Sequence, residues 1–154
     1  MHAVKVTAKA DYAVRAVLEL ATVDEGLVKG ERIAHAQGIP LKFLENILID
    51  LRHGGIVHAQ RGAEGGYRLA RDPAQVTLGE VIRAVEGPLA SVRGEPPESV
   101  SYAGAAENLQ TVWVAVRASL RSVLDDITLT EVVEGRLPQR VKRLTEQPDA
   151  WSRR

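Results

Sequence analysis

The chain has 154 residues, 45 % of them hydrophobic and 26 % charged, which is enough for the core of about one domain and excludes a disordered, low-complexity polymer. Twenty Lys and Arg residues balance twenty Asp and Glu residues, so bulk coating of a polyanion is excluded, whereas DNA recognition through a local basic face is not. The sequence contains no cysteine, which excludes disulfides, Cys-ligated zinc or iron–sulfur sites and a cysteine nucleophile.

Residues 9–21 and 29–37 are predicted to form the first two helices. In the first, apolar residues recur at three- and four-residue spacings, and Thr7 stands where a side-chain N-cap would stand. In the second, Gly38 follows the last helical residue, a position where a glycine with positive φ commonly ends a helix.

A third helix is predicted over residues 40–53, with Pro40 tolerated in its first turn. The second helix, the turn at Gly38 and this third helix follow the order of a helix-turn-helix unit. Such a unit would bury four apolar residues together: Ile33, Ile39, Leu44 and Ile47. An ordinary corner between two helices remains the alternative, because any tight helix–helix turn can use a glycine.

The hydrophobic period changes after the third helix. Residues 56–59 and 67–70 predict two short strands, joined by the glycine-rich residues 61–66 as a β-hairpin. Three helices followed by a hairpin with a basic tip indicate a winged helix, whose wing lies along the DNA backbone or enters the minor groove. Residues 52–71 carry four Arg and one Glu, a local charge of +3 (4 − 1), although chance clustering on a solvated face would give the same count.

Residues 77–86 predict a fourth helix, in which Thr77 and Glu80 form a capping box. Residues 89–104 are rich in Pro, Gly and Ser and predict a loop.

A long helix is predicted over residues 105–127, followed by a short helix over 128–133 and a basic, flexible tail over 136–154. The apolar residues of the long helix are spaced 4, 3, 4, 3 and 4 apart, which is the seam of a coiled coil. The seam residues are Leu109, Trp113, Val116, Leu120, Val123 and Ile127. The same stripe could instead pack against the rest of its own chain.

Four segments of the sequence, residues 42–45, 51–57, 61–71 and 77–89, closely resemble the bacterial winged-helix regulators of the Rrf2 family, the IscR, NsrR and CymR type. The resemblance covers about residues 5–134 and implies a mainly α fold with a small hairpin wing. It implies four parts: a winged helix-turn-helix DNA-binding domain over 1–88, a loop over 89–104, a dimerisation helix with a short closing helix over 105–135, and the tail over 136–154.

The resemblance also implies contacts with double-stranded DNA. The expected DNA-contacting residues are Thr7, Lys9, Lys42, Phe43, Glu45, Asn46, Arg61, Gly65, Gly66 and Arg68. Lys42 and Glu45 fall where family members touch base edges, and a Glu can accept a hydrogen bond from cytosine while a Lys can donate to guanine or phosphate. Arg61 matches the wing Arg that enters the minor groove.

The sequence departs from the family pattern at three places. Phe43 stands where a Tyr is common, so a hydroxyl–phosphate contact is lost. Asp11 replaces a basic or small residue and weakens the positive field near Thr7 and Lys9, which correspond to phosphate contacts. The three Cys residues that hold the cluster of iron–sulfur or nitric oxide sensors are absent from residues 93–104. We therefore predict no cluster, no metal and no other cofactor.

We predict a cytoplasmic, homodimeric transcriptional regulator, most members of this family being repressors, that binds a pseudo-palindromic operator. Apolar stretches such as residues 14–18 are too short to span a bilayer, and residues 1–5 lack the apolar stretch of a signal peptide. An enzyme is not expected, because no catalytic triad, paired carboxylates or phosphate-binding loop is present.

The signal that controls the predicted regulator is left open as a small molecule, a protein partner or no ligand. CymR-like members, which also lack a cluster, respond through an enzyme of cysteine synthesis, so the resemblance makes sulfur metabolism a candidate pathway. The rival function is a winged-helix module that binds a partner protein through the same face. Lys42 and Arg61, on a chain of zero net charge, argue against it.

Overall fold

The computed structural model describes residues 5–153, which form seven α-helices and one two-stranded antiparallel sheet. In chain order the elements are α1 (Ala8–Ala21), α2 (Gly30–Gln37), α3 (Leu41–His53), β1 (Val57–Gln60), β2 (Gly66–Leu69), α4 (Leu78–Glu86), α5 (Leu109–Leu124), α6 (Leu129–Glu134) and α7 (Gln139–Thr145). The fold class is the predicted one, mainly helical with a hairpin wing. The predicted domain limits at residues 1 and 154, and most of the N-terminal segment tested for a signal peptide, lie outside the described residues.

The first helix, α1, begins directly after its N-cap residue, Thr7. The Thr7 hydroxyl oxygen accepts a hydrogen bond from the Ala10 N–H at 3.0 Å, which satisfies a donor that the helix leaves unpaired and stabilises such a helix by about 1 kcal/mol. Ala13, Ala16 and Val17 are fully buried, and their small size lets the neighbouring helices approach α1 closely.

The turn between α2 and α3 is closed by Gly38 at φ 62°, a left-handed conformation that favours glycine. The next N–H, that of Ile39, donates to the Ala34 carbonyl at 2.9 Å and turns the chain inward. The four apolar residues predicted to share a core do so: Ile33, Ile39, Leu44 and Ile47. Pro40 is the N-cap of α3 rather than a residue of its first turn.

The hairpin pairs Val57 with Leu69 and Gln60 with Gly66, one residue away from the predicted strand limits. A third extended segment joins it, because Val28 and Tyr67 exchange both backbone hydrogen bonds at 2.8 Å. This bridge ties the wing to the segment that leads into α2.

The capping box predicted for α4 is half formed. The Thr77 hydroxyl accepts from the Glu80 N–H at 3.2 Å, but the Glu80 carboxylate binds the Arg71 guanidinium instead of returning to the Thr77 backbone. A charged partner gives the carboxylate a stronger hydrogen bond than a neutral N–H does. A complete box forms at α6, between Thr128 and Glu131.

The segment of residues 89–104 is more ordered than the predicted loop. Pro97–Ser99 form a single 3-10 turn, and Pro97 is buried. The Gln110 side-chain amide of α5 donates to the carbonyls of Pro97 and Glu98 at 3.4 and 3.0 Å. The middle of this segment is therefore packed onto the side of α5.

The predicted long helix was too long at both ends, since α5 spans Leu109–Leu124. Ile127 lies beyond α5, is only 5 % exposed, and its carbonyl accepts from the Leu78 N–H at 3.0 Å. Ile127 therefore packs within its own chain at the start of α4 and does not continue the stripe of α5.

The C-terminal segments return to the body of the molecule. Leu129 of α6 is fully buried and α6 packs against α1, so the closing helix does not extend the α5 unit. The predicted flexible tail contains α7, whose Val141 is buried and whose Arg140 binds Asp126 at 3.0 Å. Apolar residues at a helical spacing were overlooked there because the segment is so rich in charge.

Candidate nucleic-acid interface

The outer face of α3 carries an unpaired polar stripe. Leu44, Ile47, Leu48 and Leu51 are buried on the inner face, which turns another set of residues outward. The exposed set is Lys42, Phe43, Glu45, Asn46, Ile49, Arg52 and His53. The side chains of Lys42, Glu45 and Asn46 make no hydrogen bond or ion pair with another described residue. Their donors and acceptors are therefore available to base edges in a major groove.

Thr7 and Lys9, the two residues expected to contact DNA phosphates at the start of α1, are bound to partners within the chain. The Thr7 hydroxyl donates to the Glu86 carboxylate at the end of α4 while it caps α1. The Lys9 ammonium lies 2.8 Å from the Asp50 carboxylate of α3. A phosphate contact by either residue would have to replace an internal partner.

An aromatic pair links the same end of α1 to α3. Phe43 is 63 % exposed and its ring meets the Tyr12 ring edge-on, with centroids 6.5 Å apart. The Arg15 guanidinium lies 5.0 Å from the Tyr12 ring centre and 3.0 Å from Asp11. Arg15 thus offsets the negative charge that Asp11 adds to this end.

The wing turn depends on two glycines that fit against backbone atoms. A Cβ at Gly65 would overlap the Gln60 carbonyl oxygen across the turn, and a Cβ at Gly66 would lie 2.7 Å from the Val28 carbonyl oxygen. Larger residues at either position would displace the turn or the bridge at Val28. Arg61, at the start of the turn, is exposed and has no hydrogen-bonding partner among the described residues.

Lys29 holds the wing tip, a role that the sequence reasoning missed. Its ammonium donates to the carbonyls of Gly62 and Ala63 at 3.1 and 2.7 Å. Lys29 also precedes Gly30, whose position for a Cβ lies 3.6 Å from the Tyr67 ring and 3.9 Å from the Leu41 side chain. The base of the wing and the first turn of α3 therefore meet at the start of α2.

The positive charge that the hairpin region can offer to a partner is smaller than the +3 counted for residues 52–71. Arg71 binds the Glu80 carboxylate and donates to the Gln75 carbonyl at 2.7 Å, so it is not available to a partner. Arg52, Arg61 and Arg68 have no carboxylate within ion-pair distance among the described residues. Arg68 faces His58 across the hairpin.

The α5 helix has an apolar face that its own chain covers only in part. No residue of α5 is buried, although five seam residues lie on it: Leu109, Trp113, Val116, Leu120 and Val123. Val112 beside them is 51 % exposed and was not among the predicted seam residues. The flank of α5 is held by the preceding loop, where the Trp113 indole N–H donates to the Tyr102 hydroxyl at 3.1 Å.

Similar proteins were found for nearly the whole chain. Residues 6–135 match a family model described as Rrf2, an iron-dependent transcriptional regulator. The chain is 46 % identical over 143 residues to a Mycobacterium tuberculosis (strain H37Rv) protein named as an HTH-type transcriptional regulator, Rv1287, covering 92 % of this chain and 89 % of that protein. It is 31 % identical over 129 residues to the HTH-type transcriptional regulator CymR of Bacillus subtilis, covering 83 % of this chain and 88 % of CymR.

Solved structures agree with these matches. The structure of CymR, described as the global cysteine regulator of B. subtilis, superposes with a TM-score of 0.69 at 30 % identity, covering 86 % of this chain and 98 % of that one. IscR of T. potens superposes with a TM-score of 0.68 at 34 % identity, covering 91 % of this chain and 96 % of that one. The fold and the resemblance inferred from sequence are both confirmed.

The chain's own residues do not fit the iron named in the family description if that iron is held by thiolates. The sequence has no cysteine. Within residues 5–153, no group of three or more His, Asp or Glu side chains is placed to hold a metal ion. Over the same range, no helix is both long and apolar enough to cross a bilayer.

Proposed function

The chain belongs to the Rrf2 family of transcriptional regulators, and we propose that it acts as a homodimeric repressor that reads a pseudo-palindromic operator without an iron–sulfur cluster. Each subunit places α3 in a major groove and its wing against the neighbouring backbone or minor groove. The family assignment makes DNA-binding regulation, rather than catalysis, the activity to be explained.

The observation that carries this proposal is the unpaired polar face of α3. Seven ion pairs within residues 5–153, one of them made by Asp50 of α3, use many of the charges internally, yet the side chains of Lys42 and Glu45 are exposed and without partners there. Lys42 can donate to guanine or phosphate, and Glu45 can accept from the cytosine amine. Arg61 on the wing supplies a free cation for the narrow, electronegative minor groove.

The half-buried apolar face of α5 supports dimerisation through this helix. Five apolar residues in a heptad spacing are only half-buried in a single chain, and Val112 beside them is exposed, so a second copy would complete their burial. Pairing two α5 helices about a two-fold axis gives an isologous interface and presents two α3 helices to one operator.

Control of the proposed repressor is assigned to the segment of residues 89–104. This segment connects α4 to α5, and it is fixed to α5 by the Gln110 amide and by an ion pair between Glu98 and Arg117. A ligand or partner protein that released these contacts would change how α5 sits on the DNA-binding body. Such a ligand shifts the equilibrium only by its difference in affinity for the two arrangements.

Deleting residues 95–101 would remove the proposed input segment, but it would also remove the buried Pro97 and could disturb the packing of the loop. A substitution that spares Pro97 is therefore the better test. The variant Glu98→Gln combined with Gln110→Ala removes the ion pair with Arg117 and the Gln110 amide contacts, and it keeps the buried Pro97 and the Trp113–Tyr102 hydrogen bond in place. In a reporter strain, the double variant should repress but lose induction. Normal induction would move the signal input away from this segment.

Regulation of cysteine or sulfur metabolism through a partner enzyme remains a weaker candidate. The chain superposes on CymR and on IscR of T. potens almost equally well, with TM-scores of 0.69 and 0.68. Because the structural similarity to CymR is no greater than the similarity to IscR, it does not indicate that cysteine metabolism supplies the signal.

Salt dependence tests DNA binding against the rival function, a module that binds a protein through the same face. Affinity for a duplex selected from a randomised pool is measured by fluorescence anisotropy at several salt concentrations. Six to ten phosphate contacts would lower the affinity by about 10³- to 10⁵-fold between 50 and 200 mM salt. A flat salt response, or no enriched duplex, would contradict the proposal.

Base reading by Glu45 is tested with the same duplex. Glu45→Ala should reduce discrimination at one base pair of each half-site by about 1–3 kcal/mol while leaving the salt slope unchanged. Unchanged discrimination at every position would remove Glu45 from the base-reading set.

A further inference from the structure

The most exposed face of α3 has an apolar residue at its centre. Ile49 is 46 % exposed, although it could have been polar without disturbing the buried face of the helix. Its neighbours one turn away on the same face are polar or charged: Glu45, Asn46, Arg52 and His53.

We propose that Ile49 contacts the C5-methyl group of a thymine in the major groove and makes one position of each half-site specific for T·A. The inference rests on the proposed DNA-binding function. Among the groups that base pairs present in the major groove, the thymine methyl is the apolar one, so it is the partner that an aliphatic side chain can select. The unpaired cations of Lys42 and Arg52 on α3, and of Arg61 on the wing, suit a polyanion as the occupant.

The geometry of the helix restricts where this thymine lies. Ile49 is four residues beyond Glu45, an advance of about 6 Å along the helix axis. Base pairs are spaced about 3.4 Å apart, so the thymine is expected within about two steps of the base pair read by Glu45. Ile49 is β-branched and its χ1 angle in a helix is strongly restricted, which fixes the methyl-contacting atoms in advance.

Methyl deletion tests the contact directly. In the selected duplex, each thymine is replaced in turn by deoxyuridine in both half-sites, and affinity is measured by fluorescence anisotropy. At one position, loss of the methyl group should weaken wild-type binding by about fourfold per half-site, which corresponds to about 0.8 kcal/mol for one buried carbon group. Ile49→Ala should bind the thymine and deoxyuridine duplexes equally.

A matched control is Val133→Ala, which truncates a similarly exposed aliphatic residue on α6 and should keep the wild-type response to methyl deletion. Circular dichroism should show both variants folded, since neither side chain is buried. The proposal is overturned if no thymine position responds in the wild type, or if Ile49→Ala keeps the response. Failure of the wild type to select any duplex would instead reject the proposed function itself, and this inference with it.

Discussion

The Arg83 guanidinium of α4 donates two hydrogen bonds to the Asp125 carboxylate at the end of α5, at 2.8 and 2.6 Å. This fork joins the DNA-binding body to the proposed dimer helix at a point 42 residues away along the chain. The hydrogen bonds that Arg83 donates to the Asp125 carboxylate raise the pKa of Arg83 above its ordinary value. Gly79 packs directly against this fork, so a Cβ at position 79 would overlap the Asp125 carboxylate.

Gly79→Ala should break the fork without removing either charge, whereas Asp125→Asn should break it by removing the negative charge. The stability change is expected within about 1 kcal/mol, because the pair is partly exposed and alanine favours α4. With α5 less firmly held, the dimer should tolerate operators whose half-site spacing is altered by one base pair. Binding to a spacing series measures this, and a wild-type spacing preference in both variants would show that the fork does not set the geometry.

Arg136→Gln is the matched control for the fork. It removes a surface ion pair, that with Glu134, which does not join α4 to α5. Its spacing preference should equal that of the wild type.

Loss of the wing tether should reduce DNA affinity through Arg61. Lys29→Gln removes the donor to the Gly62 and Ala63 carbonyls and loosens the turn that presents Arg61. The expected loss is about 5- to 10-fold, or about 1–1.4 kcal/mol. In an Arg61→Ala background, the same change should have little further effect, because the positioned group is already gone.

The combination of the two wing variants also separates tethering from a phosphate contact by Lys29. If Lys29 bound a phosphate directly, the two losses would add and the salt slope would fall by about one unit for each variant. Strict additivity would therefore contradict the tether.

The half-buried apolar stripe of α5 should be the dimer interface. Val116→Asp places an unpaired charge in that interface and is expected to cost several kcal/mol, which should give monomer or aggregate by light scattering. Ala118→Asp puts the same charge on an exposed residue outside the apolar stripe and should leave the dimer intact. A well-behaved Val116→Asp dimer would place the interface elsewhere.

Docking of the loop onto α5 should weaken in acid. A hydrogen bond from its own backbone N–H, and then one from Arg117, lower the pKa of Glu98 below its ordinary range. A carboxyl group with a lowered pKa stabilises the docked loop above its unfolded pKa, and this stabilisation is lost as the pH falls through the folded value. In Trp151→Phe protein, Trp113 fluorescence should follow this loss on the acid side.

Glu98→Gln is the control for the acid response. It should remove the pH dependence of Trp113 fluorescence, because the ionised partner of Arg117 is gone. If this variant keeps the wild-type acid transition, another group controls the loop.

Local signals in the sequence located much of the fold. The Thr7 cap, the left-handed Gly38 and the alternating strands around the wing each depend on residues a few positions apart, so a short window contains the whole cause. The resemblance extended this to the family. The α5 stripe was visible too, but spacing alone cannot distinguish cover by the same chain from cover by a second copy.

Contacts between segments far apart in the chain could not be predicted from the sequence. The Lys29 tether reaches carbonyls 33 and 34 residues away, and backbone acceptors leave no mark on residue type. Glu80 had the spacing of a capping box, yet its carboxylate forms an ion pair with Arg71, which lies nine residues earlier in the chain. Ile127 continued the heptad count, but the helix ended before it and its side chain entered the core.

Selection of DNA by the full chain from a randomised duplex pool, followed by sequencing of the bound fraction, tests the central claim most directly. A homodimer with one α3 helix per half-site should enrich a two-fold symmetric motif whose half-sites are centred about one helical turn, or about 10–10.5 base pairs, apart, or a multiple of it. Enrichment of an asymmetric single site, or no enrichment over the starting pool, would contradict it.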